Sequence, residues 1–178
     1  MYQEILKFWF EEIQPAQWWK KDDRFDALLL ERFSNVYTRA CSCELHEWRK
    51  QPEGRLAEII VLDQFSRNMF RGTPRAFAMD AMSLTLSQEA VACGADQHLS
   101  TVQRSFLYMP YMHSESLQIH EIAVDLYRQN GVQGNLDFEL KHKRIIEKFG
   151  RYPHRNDILG RQSSAEEMEF LTQPDSGF

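Results

Sequence analysis

The stretch VLDQFSRNMFRG, residues 61–72, constrains the fold because it is apolar on two sides and still carries five strongly polar residues. On a helical wheel of about 100° per residue, one side collects Leu56, Ile59, Ile60 and Phe70, and the opposite side collects Val61, Leu62, Phe65 and Met69. A helix that is apolar on two opposed faces packs between neighbours. The pattern therefore predicts a central helix that begins at Pro52 and ends near Phe70, where Gly72 stops it.

Start and stop signals of further helices recur along the chain. Ser100 with Gln103 forms a capping box for a helix that should end at Pro110, and Asn135 should cap a later one that stops at Gly150. Other starts are expected at Tyr2, Asp22 or Asp23, Thr73, Ser114, and Ser163 or Ser164. No segment alternates apolar and polar residues at period two, so no sheet is expected. The prediction is a single all-α domain over residues 1–178, a compact stack of antiparallel helix pairs with about eight helices.

The composition excludes several classes of function. The net charge of −5 argues against a general nucleic-acid binder, which usually has a basic surplus. No apolar run reaches the roughly 18 residues that a membrane helix needs. The three cysteines show no disulfide framework and no finger spacing, so we expect reduced thiols, a cytoplasmic location and no bound metal or cofactor.

The polar residues of the central helix are the first candidates for a site. Asp63 and Arg67 stand four residues apart inside an apolar face, a spacing at which an acid and a base touch. Such a pair is expected in a buried helix whatever the function, because lone buried charges are costly. Alternatively, Arg67, Asn68 and Arg71 line a cleft for a carboxylate or phosphate.

Two further clusters carry candidate residues. In the segment YMPYMHSESL, His113 and Glu115 flank a helix start and could act as an acid–base pair. Alternatively, Glu115 complements the helix dipole and His113 bonds to a backbone carbonyl. Arg104 stands four residues before Tyr108. The loop GRYPHRND places its long polar side chains between two helices, where ligand contacts concentrate or where they cap helix ends: Arg151, His154, Arg155 and Asn156. His142 lies in an apolar stripe, which is typical of a core histidine, and His120 gives no signal either way.

Two functions fit these residues. The first is a helical module that binds a peptide or a small anionic ligand in an Arg/His-lined groove. The second is an enzyme acting on a small anionic substrate, with His113 or His154 as acid–base and Asp63 or Glu115 orienting it. No nucleophile–base motif, phosphate loop or metal motif is present in the sequence, which favours the first.

Four segments together resemble a bacterial family of uncharacterised all-helical proteins with a tetratricopeptide-like fold. They are VLDQFSRNMFRGTPRAFAMD, YMPYMHSESL, GRYPHRNDILGRQSSAEE and FLTQPDSGF. The resemblance spans essentially the whole chain and implies the fold, but no activity. Where the family pattern usually has Asp-Gln-Phe-Pro-Arg-Asn, this chain has Ser66 in place of the proline, which should remove a kink from the central helix.

Overall fold

A computed structural model describes residues 1–174, 176 and 177, so Asp175 and Phe178 of the segment FLTQPDSGF lie outside the described residues. Its helices are α1 Tyr2–Lys7, α2 Asp23–Cys41, α3 Pro52–Ile60, α4 Ser66–Met69, α5 Asp80–Ala92, α6 Thr101–Met112, α7 Leu117–Asn130, α8 Gln133–Phe149 and α9 Ala165–Leu171. Two π-helical turns continue α1 and α3, at Phe8–Glu12 and Val61–Phe65. Counting residues 52–69 as one helix gives eight in the described part of the chain, none of it strand, which confirms the all-α prediction.

The helix over residues 52–69 is central, as the wheel predicts. Its apolar residues on both faces are fully buried, among them Leu56, Ile59, Ile60, Val61, Leu62 and Phe65. α1 and α6 both pack against α3, and α5 packs against α3 and α6. α2 packs against α4 and the π turn Val61–Phe65. The apolar surface of this helix therefore holds the first six helices together through the hydrophobic effect.

The second half of the chain adds a layer of consecutive neighbours. α7 packs against both α6 and α8, and the short connections between them make each pair antiparallel. A smaller apolar cluster joins Ile145 and Ile146 of α8 to Tyr152, which follows this helix. The tetratricopeptide-like arrangement and the single-domain boundary stay predictions.

Capping residues explain the starts of three helices, α2, α6 and α9. The Asp22 side chain accepts from the N–H groups of Arg24 and Phe25, and the boxes Ser100–Gln103 and Ser164–Glu167 are both formed. These contacts satisfy N–H groups that a helix start leaves without partners. The capping predictions at these three starts are therefore confirmed.

Five local predictions are wrong. The helices expected to start at Thr73 and Ser114 begin later, α5 at Asp80 after a 3₁₀ turn at Pro74–Phe77, and α7 at Leu117. The Thr73 hydroxyl donates to the Phe70 carbonyl and the Ser114 hydroxyl accepts from the Ser116 N–H, so neither side chain caps a helix.

The other three concern α6, α8 and the central helix. α6 does not end at Pro110 but continues to Met112, because proline removes only its own N–H and the surrounding segment is fully packed. α8 begins at Gln133, two residues before the expected cap Asn135, whose side chain instead donates to the Ser105 hydroxyl. Ser66 does not give an unbroken α-helix, since the turn before it, Val61–Phe65, is π-helical.

Candidate active site

Asp63 lies in the π-helical turn of the central helix and is 1% exposed. Its Oδ1 is 3.1 Å from an Arg67 guanidinium nitrogen and 2.7 Å from His113 Nδ1, and its Oδ2 accepts from Gln64 Nε2 at 2.6 Å. Burial raises the pKa of this carboxyl, but the charges of Arg67 and His113 and the hydrogen bonds outweigh it and hold the pKa well below its ordinary value. Asp63 is therefore an ionised carboxylate in the protein interior.

A chain of alternating charges runs outward from Asp63. Arg67 makes two bonds to the Asp80 carboxylate, both 2.9 Å. Arg155 approaches the same carboxylate at 3.2 Å, and its guanidinium lies 4.6 Å from the ring centres of both Phe77 and Tyr152. Arg67 thus bridges two acids, which satisfies the need of buried charges for partners. The ion pair expected between Asp63 and Arg67 is present, with a second acid that the helix spacing does not predict.

His113 occupies the C-terminal end of α6, with its ring against Asp63. Because an ionised carboxylate can only accept a hydrogen bond, the Asp63 contact requires the proton on Nδ1. Burial, and then the charge of Arg67, lower the pKa of His113, so the ring is neutral at neutral pH. Its Nε2 then carries a lone pair, and no described residue forms a hydrogen bond to that nitrogen.

Three side chains fix the backbone that carries His113. The Tyr152 hydroxyl donates to the carbonyl of Met112, Arg155 donates to that of His113 at 3.0 Å, and His120 Nε2 donates to that of Ser114 at 2.8 Å. These carbonyls follow the last turn of α6, where helical partners are missing. The turn that holds His113 is therefore bound on three successive peptide groups.

His113 lines a cleft of about 420 Å³. Its polar lining consists of Asp80, His113, Ser114, Glu115 and Arg155, and its apolar lining consists of Pro74, Phe77, Ala78, Ala81, Leu84, Pro110 and Leu159. Small-molecule sites have this size and this mixture of apolar walls with a few polar groups. The arrangement has the geometry of a general base, because a histidine oriented by a buried carboxylate faces a cleft.

Glu115 lies at the same cleft but does not contact His113 through any hydrogen bond in the described part of the chain. Its carboxylate accepts two bonds from Arg161, at 2.6 and 2.9 Å, and a third from the Tyr152 N–H at 2.7 Å. Burial raises the pKa of Glu115, but these bonds outweigh it and lower the pKa overall. Glu115 therefore anchors the segment 152–161 rather than orienting His113.

The remaining candidate residues lie in three other places. Asn68 and Arg71 face Asp26 of α2, where Arg71 makes two bonds to the carboxylate, at 2.6 and 2.9 Å. They border a shallower cleft of about 310 Å³ that also includes Lys21 and Asp23.

Arg151 makes two bonds to Glu167, at 2.7 and 2.8 Å, and Asn156 is fully buried with its amide donating to Ser163. His154 packs beside the Tyr152 ring, with its pKa lowered by burial to about 4, and does not line the cleft. Arg104 lies on α6 near the Tyr108 hydroxyl, which donates to Asp96. The structure thus brings Asp63, Arg67, His113 and Arg155 together, with Glu115 at the same cleft, and separates the other candidates from them.

Sequence reasoning missed Asp80, His120, Tyr152 and Arg161. Asp80 is the first residue of α5, and an acid at a helix start is read as a dipole partner. His120 and Glu139 are both fully buried, and their side chains meet at 2.7 Å between α7 and α8. They are 19 residues apart on different helices, so no spacing rule joins them. Among the described residues, no three histidine, cysteine or acidic side chains converge in a way that would hold a metal ion.

The fold and cleft define a class, an all-helical protein with a buried carboxylate–histidine pair at a small cleft. The chain belongs to the family described as "Bacterial protein of unknown function (DUF924)", which matches residues 5–175. It is similar to a solved structure, "Protein of Unknown Function ATU0120" from Agrobacterium tumefaciens, with 36% identity and a TM-score of 0.91 over 99% of this chain and 97% of that one. A comparison with curated proteins finds no match. In the described part of the chain, no helix combines the length and apolar character needed to span a membrane.

Proposed function

We propose that this protein is an enzyme in which Asp63 and His113 act as a general base on a small molecule held in the cleft. The observation that carries the proposal is the 2.7 Å contact between His113 Nδ1 and the buried Asp63 carboxylate, on a ring that lines the cleft. His113 Nε2 takes a proton from an O–H or N–H group of the bound molecule, or from a water beside it. Asp63 stabilises the imidazolium that forms, and the proton then passes to the product.

The alternative of a binding module with an Arg/His-lined anion site has weaker support. Four of its five arginines bond to carboxylates of the chain itself, namely Arg67, Arg71, Arg151 and Arg155. An external anion would have to compete with these internal partners. The anion site therefore stays a prediction, and the geometry of His113 favours the enzyme.

The tautomer of His113 is the first test. A long-range ¹⁵N NMR spectrum of the imidazoles at pH 7 should show His113 neutral, with the proton on Nδ1 and a lone pair on Nε2. In Asp63→Asn the preference for the proton on Nδ1 should weaken, because the amide side chain can either accept a hydrogen bond from Nδ1 or donate one to it. A charged His113 at pH 7, or a proton on Nε2, contradicts the proposal.

Turnover of a probe reaction is the second test. We expect the protein to hydrolyse p-nitrophenyl acetate, and kcat/KM to fall by roughly 10²-fold or more in His113→Gln, the usual contribution of a positioned general base. His98→Gln, which changes an exposed histidine, should leave the rate unchanged. The rate should rise with pH to a plateau whose midpoint lies below 6.5, since the pKa of His113 is lowered and the base must be unprotonated. Equal rates in the protein and in His113→Gln would overturn the proposal.

A further inference from the structure

The formal charges around the cleft occur in balanced pairs. Three acids, Asp63, Asp80 and Glu115, face three guanidinium groups, those of Arg67, Arg155 and Arg161. Arg67 joins the first two acids, Arg155 bonds to the second, and Arg161 bonds to the third. With His113 neutral, these six groups carry no net charge. The cleft therefore offers no surplus charge to a ligand of either sign.

Asp80 occupies the place that an external anion would need. Its carboxylate accepts both bonds of the Arg67 fork and a third from Arg155, which is how a bound carboxylate or phosphate would be held. An incoming anion would meet Asp80 at close range and be repelled by it. The helix N-terminus at Asp80 is likewise already matched with a negative side chain.

The cleft does not stabilise a bound cation either. Each carboxylate that lines it is already neutralised by an arginine at hydrogen-bond distance. The other walls are apolar, formed by Phe77, Leu84 and Leu159 with small residues and prolines. Moving an ammonium group from water to such a surface costs free energy that no unpaired acid repays.

We infer that the substrate is an uncharged small molecule with an apolar body and a hydrogen-bonding group that meets His113 Nε2. The apolar walls bind the body through the hydrophobic effect, and the lone pair on Nε2 accepts from the polar group. This inference names the substrate class of the proposed enzyme and departs from the small anion that the sequence suggested. It rests on the proposed function for the role of His113, but its charge argument depends on the cleft alone.

Three probes of nearly equal size test the charge preference directly. Binding of benzamide, benzoate and benzylammonium at pH 7 is followed by the shifts of cleft resonances in NMR titrations of the whole chain. We expect benzamide to bind and the two charged probes to bind at least tenfold more weakly. Benzoate or benzylammonium binding as tightly as benzamide would overturn the inference, as would the absence of benzamide binding.

Asp80→Asn should weaken the preference for benzamide over benzoate. Removing that carboxylate leaves one guanidinium charge uncompensated, so benzoate affinity should rise at least tenfold while benzamide affinity changes little. The matched control is Asp125→Asn, which makes the same change in net charge at an exposed position on α7 and should not alter benzoate binding. An equal rise in both variants would contradict the role of Asp80. If Asp80→Asn does not fold, the comparison of the three probes on the unchanged chain still decides the inference.

His113→Gln separates this inference from the proposed function. The variant keeps the paired acids and arginines of the cleft, so the preference for the uncharged probe should persist when turnover is lost. Lost turnover with an unchanged preference supports both ideas. Unchanged turnover with the preference intact refutes only the general base, and a preference for benzoate in both proteins refutes only the substrate class.

Discussion

Asp63 is the residue on which the site depends most. It is a buried anion that joins the central helix to α6 through His113 and balances Arg67 beside it. Both partners would stay in the interior without Asp63, and only Arg67 has a second acid, Asp80. Asp80 would then have to balance both Arg67 and Arg155, so one buried guanidinium charge would remain uncompensated, which is costly.

Replacing Asp63 with Asn should lower the free energy of unfolding by about 3–5 kcal/mol, the range for breaking a buried ion pair. The control is Asp125→Asn, which breaks an exposed pair with Arg128 and should cost less than about 1 kcal/mol. Urea unfolding at pH 7 measures both. A loss below about 1 kcal/mol in Asp63→Asn would mean that the pair does not behave as buried.

At the scale of the element, the junction before α3 shows how closely the helices are fitted. Gly54 lies in the first turn of α3, against the turn His46–Lys50. A Cβ at Gly54 would be 2.1 Å from the carbonyl oxygen of Trp48, and backbone atoms cannot yield as a flexible side chain does. The glycine is required here by close approach and not by its backbone angles.

Gly54→Ala should therefore destabilise the protein by roughly 1–3 kcal/mol, the usual cost of overpacking. Gly134 in the first turn of α8 gives a matched comparison, because a Cβ there meets no atom within 4 Å. Gly134→Ala should be neutral or stabilising by up to about 1 kcal/mol through helix propensity. Thermal unfolding of both variants checks the pair, and similar losses in the two would show that the contact with Trp48 is not the cause.

Local signals predicted the elements, and long-range contacts explain what was missed. The i,i+4 spacing of Asp63 and Arg67 was enough to predict their contact, and the box at Ser100 was enough to place a helix start. The partnership of Asp63 with His113 spans 50 residues, so only the packing of α6 against the central helix creates it.

The arginines that were candidates for ligand binding also have partners that the sequence does not reveal. Arg71, Arg151 and Arg155 were candidate ligand contacts because their positions in the sequence do not show which acids they meet. Their actual partners are 45, 16 and 75 residues away in the chain. A cluster of polar residues in a loop therefore predicts that strong contacts form, but not whether they form with a ligand or with the protein.

For the whole molecule, buried histidines set the dependence of stability on pH. Burial lowers the pKa of His142 to about 3 and that of His154 to about 4, and the pKa of His113 is also lowered. The unfolded chain takes up protons at these side chains near pH 6.5, whereas the folded chain does not. The raised pKa of Glu139 has the opposite effect on the free energy of unfolding above pH 4.5, because the folded chain keeps this proton more tightly than the unfolded chain. The three histidines outweigh this single group.

The free energy of unfolding should therefore fall as the pH drops from 6.5 toward 4, by up to about 1.4 kcal/mol per pH unit for each histidine that stays neutral. Urea unfolding at pH 7, 5.5 and 4.5 measures this slope. His142→Gln should reduce this slope by up to about 1.4 kcal/mol per pH unit, the contribution of one proton, whatever its effect on stability at pH 7. A stability that is constant from pH 7 to 4.5 would contradict the buried, neutral state of these histidines.

The paired charges of the cleft also bear on how quickly a molecule can reach His113. Electrostatic steering needs a field that extends beyond the surface, and opposite charges a few ångströms apart cancel before that distance. Added salt screens such a field and slows steered encounters. The paired charges of this cleft produce little long-range field, so added salt should change the association rate little. A molecule should thus reach this cleft by diffusion without electrostatic steering, with nearly the same association rate at low and at high ionic strength.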